Sequence, residues 1–413
     1  MIAAGQDSGR ASIIHNSLGW LAGKLSRVTS SREFIPEVDG LRCLAILPVL
    51  ILHSSAHILI SRGWTTFAPD WGQRHGPILR AISTGAIGVP IFFVISGFIV
   101  ALPFARHALQ GGSAPKLSRY FLRRLTRIEP PYILALTAMY LFTRAYRELL
   151  PDYLAGLFYL HKAIFGTWNP INGVTWSLEV EVFFYILAPW LTRVYRIRGD
   201  MRRRLLQLTL IGSSSYFVHC WLIPHGPPRL NDTLLTAIPF FLAGMLLADL
   251  YGSGLLRRSR RIGWDFAAAG SGIGMVYAAG WDWGRLYWLT PFMIMILFLG
   301  GIEGRSANWF LCLRPVTIVG GMCYTAYLWH IPLLILMRDS LSKLVPNGLR
   351  DGPAAVLFCL VTVPVLIAVS APLFYFVEKP FMNGPGSRSI EKALRRISEA
   401  VRRRKPVASG AAA

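Results

Sequence analysis

One histidine in this chain is placed where an ionisable side chain is costly to keep. The stretch PEVDGLRCLAILPVLILHS, residues 36–54, opens with Glu37, Asp39 and Arg42 and runs straight into apolar residues, with His53 eleven positions after Arg42. At a helical rise of 1.5 Å, His53 stands about 16 Å along the helix from Arg42, near the middle of a hydrocarbon layer about 30 Å thick. An imidazole at that depth is a functional candidate; a histidine bonded to a neighbouring carbonyl or hydroxyl is an equally good reading of this helix alone. A second apolar run, VTWSLEVEVFFY, carries Glu179 and Glu181. Crossing in the opposite direction, it would bring Glu181 about 10 Å in from the outer end, towards the level of His53. A carboxylate there would orient the imidazole and raise its basicity; a structural pair with an arginine or the backbone is the competing reading. Residues two apart point in different directions on a helix, so at most one of the two glutamates serves the same site.

His53 and His57 share a helix face at the spacing of two metal ligands, but no companion motif supplies a third, and a polar cavity wall is the better expectation. No metal is expected. Ser96–Gly97 in GAIGVPIFFVISGFIV permits close approach of another helix or a ligand; without a G-x-S-x-G elbow, packing is the default for Ser96. In YFLRRLTRIEPPY, Arg124 and Arg127 project from one helical face, and paired guanidiniums suit phosphate. Taken alone, ordinary membrane-flanking charge explains them better. His330 in CYTAYLWHIPLL reads as a satisfied histidine near an outward aromatic belt.

These residues need a membrane scaffold. Of 413 residues, 53% are hydrophobic and only 15% charged, where a soluble domain has about 25% charged. The net charge of +22 lies in blocks between apolar runs, a membrane-surface pattern with no basic face suited to nucleic acid. The five cysteines, 43, 220, 312, 323 and 359, lack paired spacing, which argues against a disulfide framework or a zinc site.

The pattern predicts an all-α, polytopic membrane protein of about ten transmembrane helices. They are placed near 41–60, 84–104, 131–147, 174–192, 205–223, 232–251, 263–280, 285–302, 315–337 and 353–377, with 153–166 as a short interfacial or re-entrant helix. In that arrangement 32 of the 43 Lys and Arg residues fall on one side, which puts both termini in the cytoplasm. Residues 1–34 form a basic tail without a signal peptide, in which NSLGWLAGKLSRV could lie on the membrane as a surface helix. Residues 35–381 form the membrane domain. Residues 382–413 form a second basic tail whose helical pattern suits anionic head groups.

Six stretches together resemble the membrane-bound acyltransferase-3 family of bacterial O-acyltransferases: VDGLRCLAILPVLILH, GVPIFFVISGF, RRLTRIEPPY, WSLEVEVFFY, YTAYLWHIP and VEKPF. They occur in the family's order across about residues 36–381. The family's Arg-then-His pattern falls on Arg42 and His53, its R-x-x-R on Arg124 and Arg127, and its W-S-L-x-x-E on Trp176, Ser177, Leu178 and Glu181. Two positions depart: Cys43 stands where a Gly is usual, and Pro90 where an acidic residue is common. The hydrolase-like domain that some members carry after the membrane part is not expected here.

The resemblance implies that a cytoplasmic acyl-CoA, acetyl-CoA by expectation, docks its phosphates at Arg124 and Arg127 with help from Arg42, and that no cofactor is permanently bound. His53 would act as general base on an acceptor hydroxyl, or as transient acyl carrier, assisted by Glu181. Asp39, Ser96, Trp176, Ser177 and His330 would line the substrates. The acceptor would be a sugar or glycoconjugate outside a bacterial inner membrane. A proton-coupled transporter using His53 and Glu181 as a relay is the competing class, and an acyltransferase-like binder without turnover a third.

Overall fold

The computed structural model describes residues 34–64, 76–281 and 286–382, with a few isolated positions nearer the ends. The expected N-terminal surface helix and C-terminal basic helix lie almost wholly outside the described residues. Among those residues every regular element is helical, and ten helices are fourteen residues or longer. They are α1 (Pro36–Ser61), α2 (Gly88–Gln110), α3 (Leu117–Thr143), α4 (Trp176–Leu191), α5 (Asp200–Phe217), α6 (Leu234–Gly252), α7 (Ile262–Gly280), α8 (Thr290–Glu303), α9 (Cys323–Leu341) and α10 (Asp351–Leu373).

Each falls on one of the ten apolar segments, but they do not all carry the same apolar length. Five helical stretches are long and apolar enough to cross a bilayer, those containing α1, α2, α4, α6 and α10, and a bent pair ending in α9 makes a sixth. Three of the other four fall short for visible reasons. The first half of α3 holds Arg119, Arg123, Arg124, Arg127 and Glu129, and α5 opens on Arg202, Arg203 and Arg204. The stretch containing α8, Tyr287–Glu303, is a shorter apolar helix.

Local chemistry sets the ends. α1 starts on Pro36, whose missing N–H costs nothing in a first turn, and Glu37 and Asp39 complement the helix dipole there. Pro90 is tolerated for the same reason, being the third residue of α2. Gly111 closes α2 with φ +72°, a left-handed conformation that glycine adopts without strain.

Two boundaries differ from the sequence expectation. α3 begins at Leu117 instead of near 131 and continues through Pro130 and Pro131, so the R-x-x-R pair is helical. The segment expected as one helix at 315–337 is two, Arg314–Gly321 and Cys323–Leu344, meeting at 66°. The first piece presses Gly320 onto the backbone of Asp39, where any Cβ would overlap the Asp39 carbonyl.

α1 is the hub, packing against α2, α9, α10 and the Arg314–Gly321 helix. The most extensive pairing is α2 with α6. Gly97 and Gly244 make it possible, since a Cβ on Gly97 would meet the Phe241 backbone and one on Gly244 the Val94 carbonyl. In lipid, where apolar burial gives little preference for helix–helix contact, such close backbone approach supplies the van der Waals attraction. The 153–166 segment forms two short helices, Leu150–Leu157 and His161–Phe165.

Candidate active site

α1 presents His53 one turn before His57, and α9 presents His330 against it. Nε2 of His330 lies 2.9 Å from Nδ1 of His53, with ring centroids 4.9 Å apart. His330 is 1% exposed, and its other nitrogen, Nδ1, is 2.7 Å from the Tyr327 carbonyl. A carbonyl only accepts, so Nδ1 of His330 carries the proton and, in the neutral ring, Nε2 is an acceptor. His53 therefore donates through Nδ1, and its lone pair resides on Nε2. The backbone of Val49, one turn earlier on α1, also hydrogen-bonds the His53 ring.

Tyr327 is held in turn. Its hydroxyl donates to the Val174 carbonyl at 3.0 Å and is 2.7 Å from the Ser177 hydroxyl. Asn172 donates to the Leu328 carbonyl at 3.1 Å. The segment leading into α4 thus clamps the turn of α9 that carries the His330 acceptor.

On the other side of Tyr327 lies a cavity of about 760 Å³, into which Arg42, Arg124 and Arg127 open together with Ser96 and Glu181. Tyr327 belongs to its wall, and its ring is 5.7 Å from that of His330; neither imidazole is part of the lining. Arg42 donates to Asp39 at 2.5 Å, a pair of buried charges one turn apart on α1. Arg124 lies over the rings of Tyr120 (4.1 Å) and Tyr185 (5.1 Å), cation–π contacts that fix its guanidinium without neutralising it. Arg106 and Arg123 add further positive charge to the lining.

The residues singled out in the sequence thus divide into two groups. His53 and His330 meet directly, a pairing the separate motifs did not reveal. Glu181, expected beside His53, accepts from Ser96 at 2.5 Å and from the Tyr185 hydroxyl at the cavity wall. An imidazole stands where a carboxylate was expected, because α4 turns Glu181 towards α2. Glu179 points elsewhere, as the two-residue spacing requires, and accepts from the Lys162 backbone at 2.8 Å. Ser177 holds Tyr327, and Trp176 packs edge-on against Phe93 with centroids 6.2 Å apart. Arg42, Arg124, Arg127, Asp39 and Ser96 all reach the cavity. Among the described residues no three His, Cys, Asp or Glu side chains gather as a metal site.

Tyr185 and Tyr327 were missed as candidates, although both lie inside quoted motifs; the dense aromatic residues around them masked two hydroxyls with specific partners.

A family model described as an acyltransferase domain, Acyl_transf_3, matches residues 35–372. The chain belongs to this acyltransferase family. It is 22% identical over 345 residues to O-acetyltransferase OatA of Staphylococcus aureus, covering 76% of this chain and 53% of that protein. It is 22% identical over 383 residues to peptidoglycan O-acetyltransferase OatA of Listeria monocytogenes, covering 85% of this chain and 56% of the relative. With YrhL of Bacillus subtilis the identity is 25% over 413 residues, covering 90% and 58%. The chain spans little more than half the length of these curated relatives. No solved structure matches it.

Proposed function

We propose that this chain is a multi-pass membrane O-acyltransferase that moves an acetyl group from cytoplasmic acetyl-CoA to a hydroxyl of an extracytoplasmic carbohydrate. The observation that carries the reading is the His53–His330 pair, which meets the ring of Tyr327, itself part of the wall of a cavity lined by Arg42, Arg124 and Arg127. The relatives are named for O-acetylation, in two of the three cases of peptidoglycan, which makes a cell-wall sugar the first acceptor to test. The reading includes ten crossings of a bacterial inner membrane with both termini in the cytoplasm, supported by the one-sided distribution of Lys and Arg.

In this mechanism the donor phosphates bind Arg42, Arg124 and Arg127, and the thioester arm runs along α1 towards His53. The passage beside Tyr327 has to open for the thioester to reach the imidazole. His53 takes the acceptor hydroxyl proton on Nε2 as the oxygen attacks the thioester carbonyl. The C–S bond then breaks, and the CoA thiolate recovers the proton from His53. The products are ester and CoA, with no net proton change. His330 accepts from Nδ1–H throughout, which holds the tautomer and steadies the transient imidazolium. A proton-relay transporter is less favoured, because Glu181 bonds to Ser96 and Tyr185 and the chain belongs to an acyltransferase family.

The test uses purified protein in detergent with radiolabelled acetyl-CoA, wild type beside His53→Ala, with and without a peptidoglycan fragment. Acceptor-dependent CoA release and labelled sugar in wild type, both lost in the variant, are expected. Wild-type protein that neither binds CoA nor releases it with any acyl donor would overturn the reading.

A further inference from the structure

One face of α2 lines the cavity from Val89 to Gln110, about 30 Å of helix. α1 and α2 run antiparallel, since a Cβ on Gly85 would meet the Pro48 carbonyl and one on Gly88 the Ala45 carbonyl. Gln110 therefore marks the end of the cavity away from His53. That end is polar and held in place. Arg106 is half-buried, with its guanidinium 5.7 Å from the centre of the Tyr251 ring, which is edge-on to Phe98 at 5.6 Å. Nδ1 of His107 donates to the Gly112 carbonyl, and Gln110 donates to the Gly252 carbonyl at 2.7 Å, tying the end of α2 to the end of α6. Phe34, two residues before α1, and Phe381, beyond α10, line the cavity as well.

Arg106 stands apart from the arginines already given to the donor phosphates. The ring of Phe104 on α2 meets that of Tyr120 on α3 edge-on, with centroids 5.6 Å apart, which puts these two residues at one level. Arg124 is four residues further along α3, towards the level of Ser96, and Arg106 is two residues along α2 in the other direction. At 1.5 Å per residue the two arginines are about 9 Å apart along the helix axes. That separation suits two anionic groups held apart by a spacer. Coenzyme A has this form: a diphosphate, then a ribose that carries a 3′-phosphate and a purine. Aromatic side chains such as Phe34 and Phe381 are the usual partners for the face of a base.

We propose that the end of the cavity away from His53 receives the 3′-phosphoadenosine of the donor, with Arg106 as the contact of the 3′-phosphate, while Arg42, Arg124 and Arg127 hold the diphosphate. This rests on the acyl-CoA reading of the cavity. Arg106 lies far from the thioester, so its contact is the same in donor, transition state and product. Its loss raises KM for the donor and leaves kcat nearly unchanged.

The experiment titrates the purified full chain with CoA and with 3′-dephospho-CoA, for wild type, Arg106→Gln, Arg123→Gln and Arg124→Gln. The readout is the ratio of the two affinities, because a weaker overall positive field or damaged packing lowers both and leaves the ratio in place. Wild type is expected to bind CoA about tenfold more tightly than 3′-dephospho-CoA. The ratio falls to near one in Arg106→Gln and persists in Arg124→Gln, although Arg124→Gln binds both ligands more weakly. Arg123→Gln also keeps the ratio, since Arg123 is an exposed lining residue next to Arg124. Equal affinities in wild type overturn the inference while leaving the donor reading intact. So does an Arg106→Gln protein that keeps the full ratio, or loss of the ratio in Arg123→Gln instead. Wild type that binds neither ligand overturns the donor reading itself, and this inference with it. If Arg106→Gln does not fold, Arg106→Lys decides. A lysine provides neither the planar fork nor the stacking on Tyr251, so the ratio is expected to drop several-fold, and full retention overturns the proposal.

Discussion

Nδ1 of His53 donates to Nε2 of His330 across 2.9 Å, and His330 is fixed in turn by the Tyr327 carbonyl at 2.7 Å. The pair forms a one-directional chain of hydrogen bonds, carbonyl to imidazole to imidazole, that ends with a lone pair on Nε2 of His53. Removing His330 therefore acts on tautomer and orientation and leaves donor binding alone. His330→Ala is expected to lower kcat about 100-fold with little change in KM for acetyl-CoA. His330→Gln, whose amide oxygen can still accept from His53, should retain more activity than the alanine variant. Steady-state kinetics of the three proteins checks this; equal losses in Ala and Gln would sink the orienting role.

The arginines that line the cavity predict the opposite kinetic signature. Arg124→Ala and Arg127→Ala are each expected to raise KM for acetyl-CoA about tenfold while kcat changes little. Added salt should weaken donor binding to wild type more than to either variant. Arg124→Lys should fare poorly, because a lysine cannot reproduce a planar guanidinium laid over Tyr120 and Tyr185. Kinetics at two ionic strengths tests all three statements.

Tyr327→Phe removes one hydroxyl bonded to Val174 and Ser177 and leaves the backbone carbonyl that accepts from His330. A loss of about 1–2 kcal/mol in stability is expected, read as a lower Tm in detergent. Activity should fall less than in His330→Ala, because the imidazole pair keeps its acceptor.

Packing gives a prediction independent of chemistry. Gly244→Val places a branched side chain where the Val94 carbonyl and the Phe98 backbone nitrogen already sit. The α2–α6 pair must then separate, at a cost of about 1–3 kcal/mol or more. Expression and thermal unfolding of the variant report it, and a wild-type Tm would contradict the close approach described above.

The ten helices were legible because apolar runs of helical length leave a strong composition signal, and α1, α2, α6 and α10 show it most clearly. The start of α3 was not legible. A basic stretch followed by Pro130–Pro131 reads locally as a loop before a helix, and only packing against neighbours carries the helix back to Leu117. The break at Met322 was hidden for a similar reason, since the demand for it comes from the backbone of Asp39, distant in sequence. At the site, His53 stood out by depth and Arg124–Arg127 by spacing. Their partners could not be read, because which buried polar groups meet is settled by helix rotation. A shared level in the bilayer suggested Glu181 for His53, and the rotation of α4 assigned Glu181 to Ser96 instead.

Arg42 and His53 sit on one uninterrupted helix, α1, and this makes α1 a ruler. On the proposed reading, in which Arg42 holds a donor phosphate and His53 is the base, their separation is set by the eleven-residue spacing and the helical rise. A donor whose arm is shortened, such as an acyl group on a truncated thiol, can satisfy one end of the ruler and not both. A single residue inserted between Arg42 and His53 would turn the imidazole by about 100° around the helix, away from His330, while every apolar residue in the segment remained apolar.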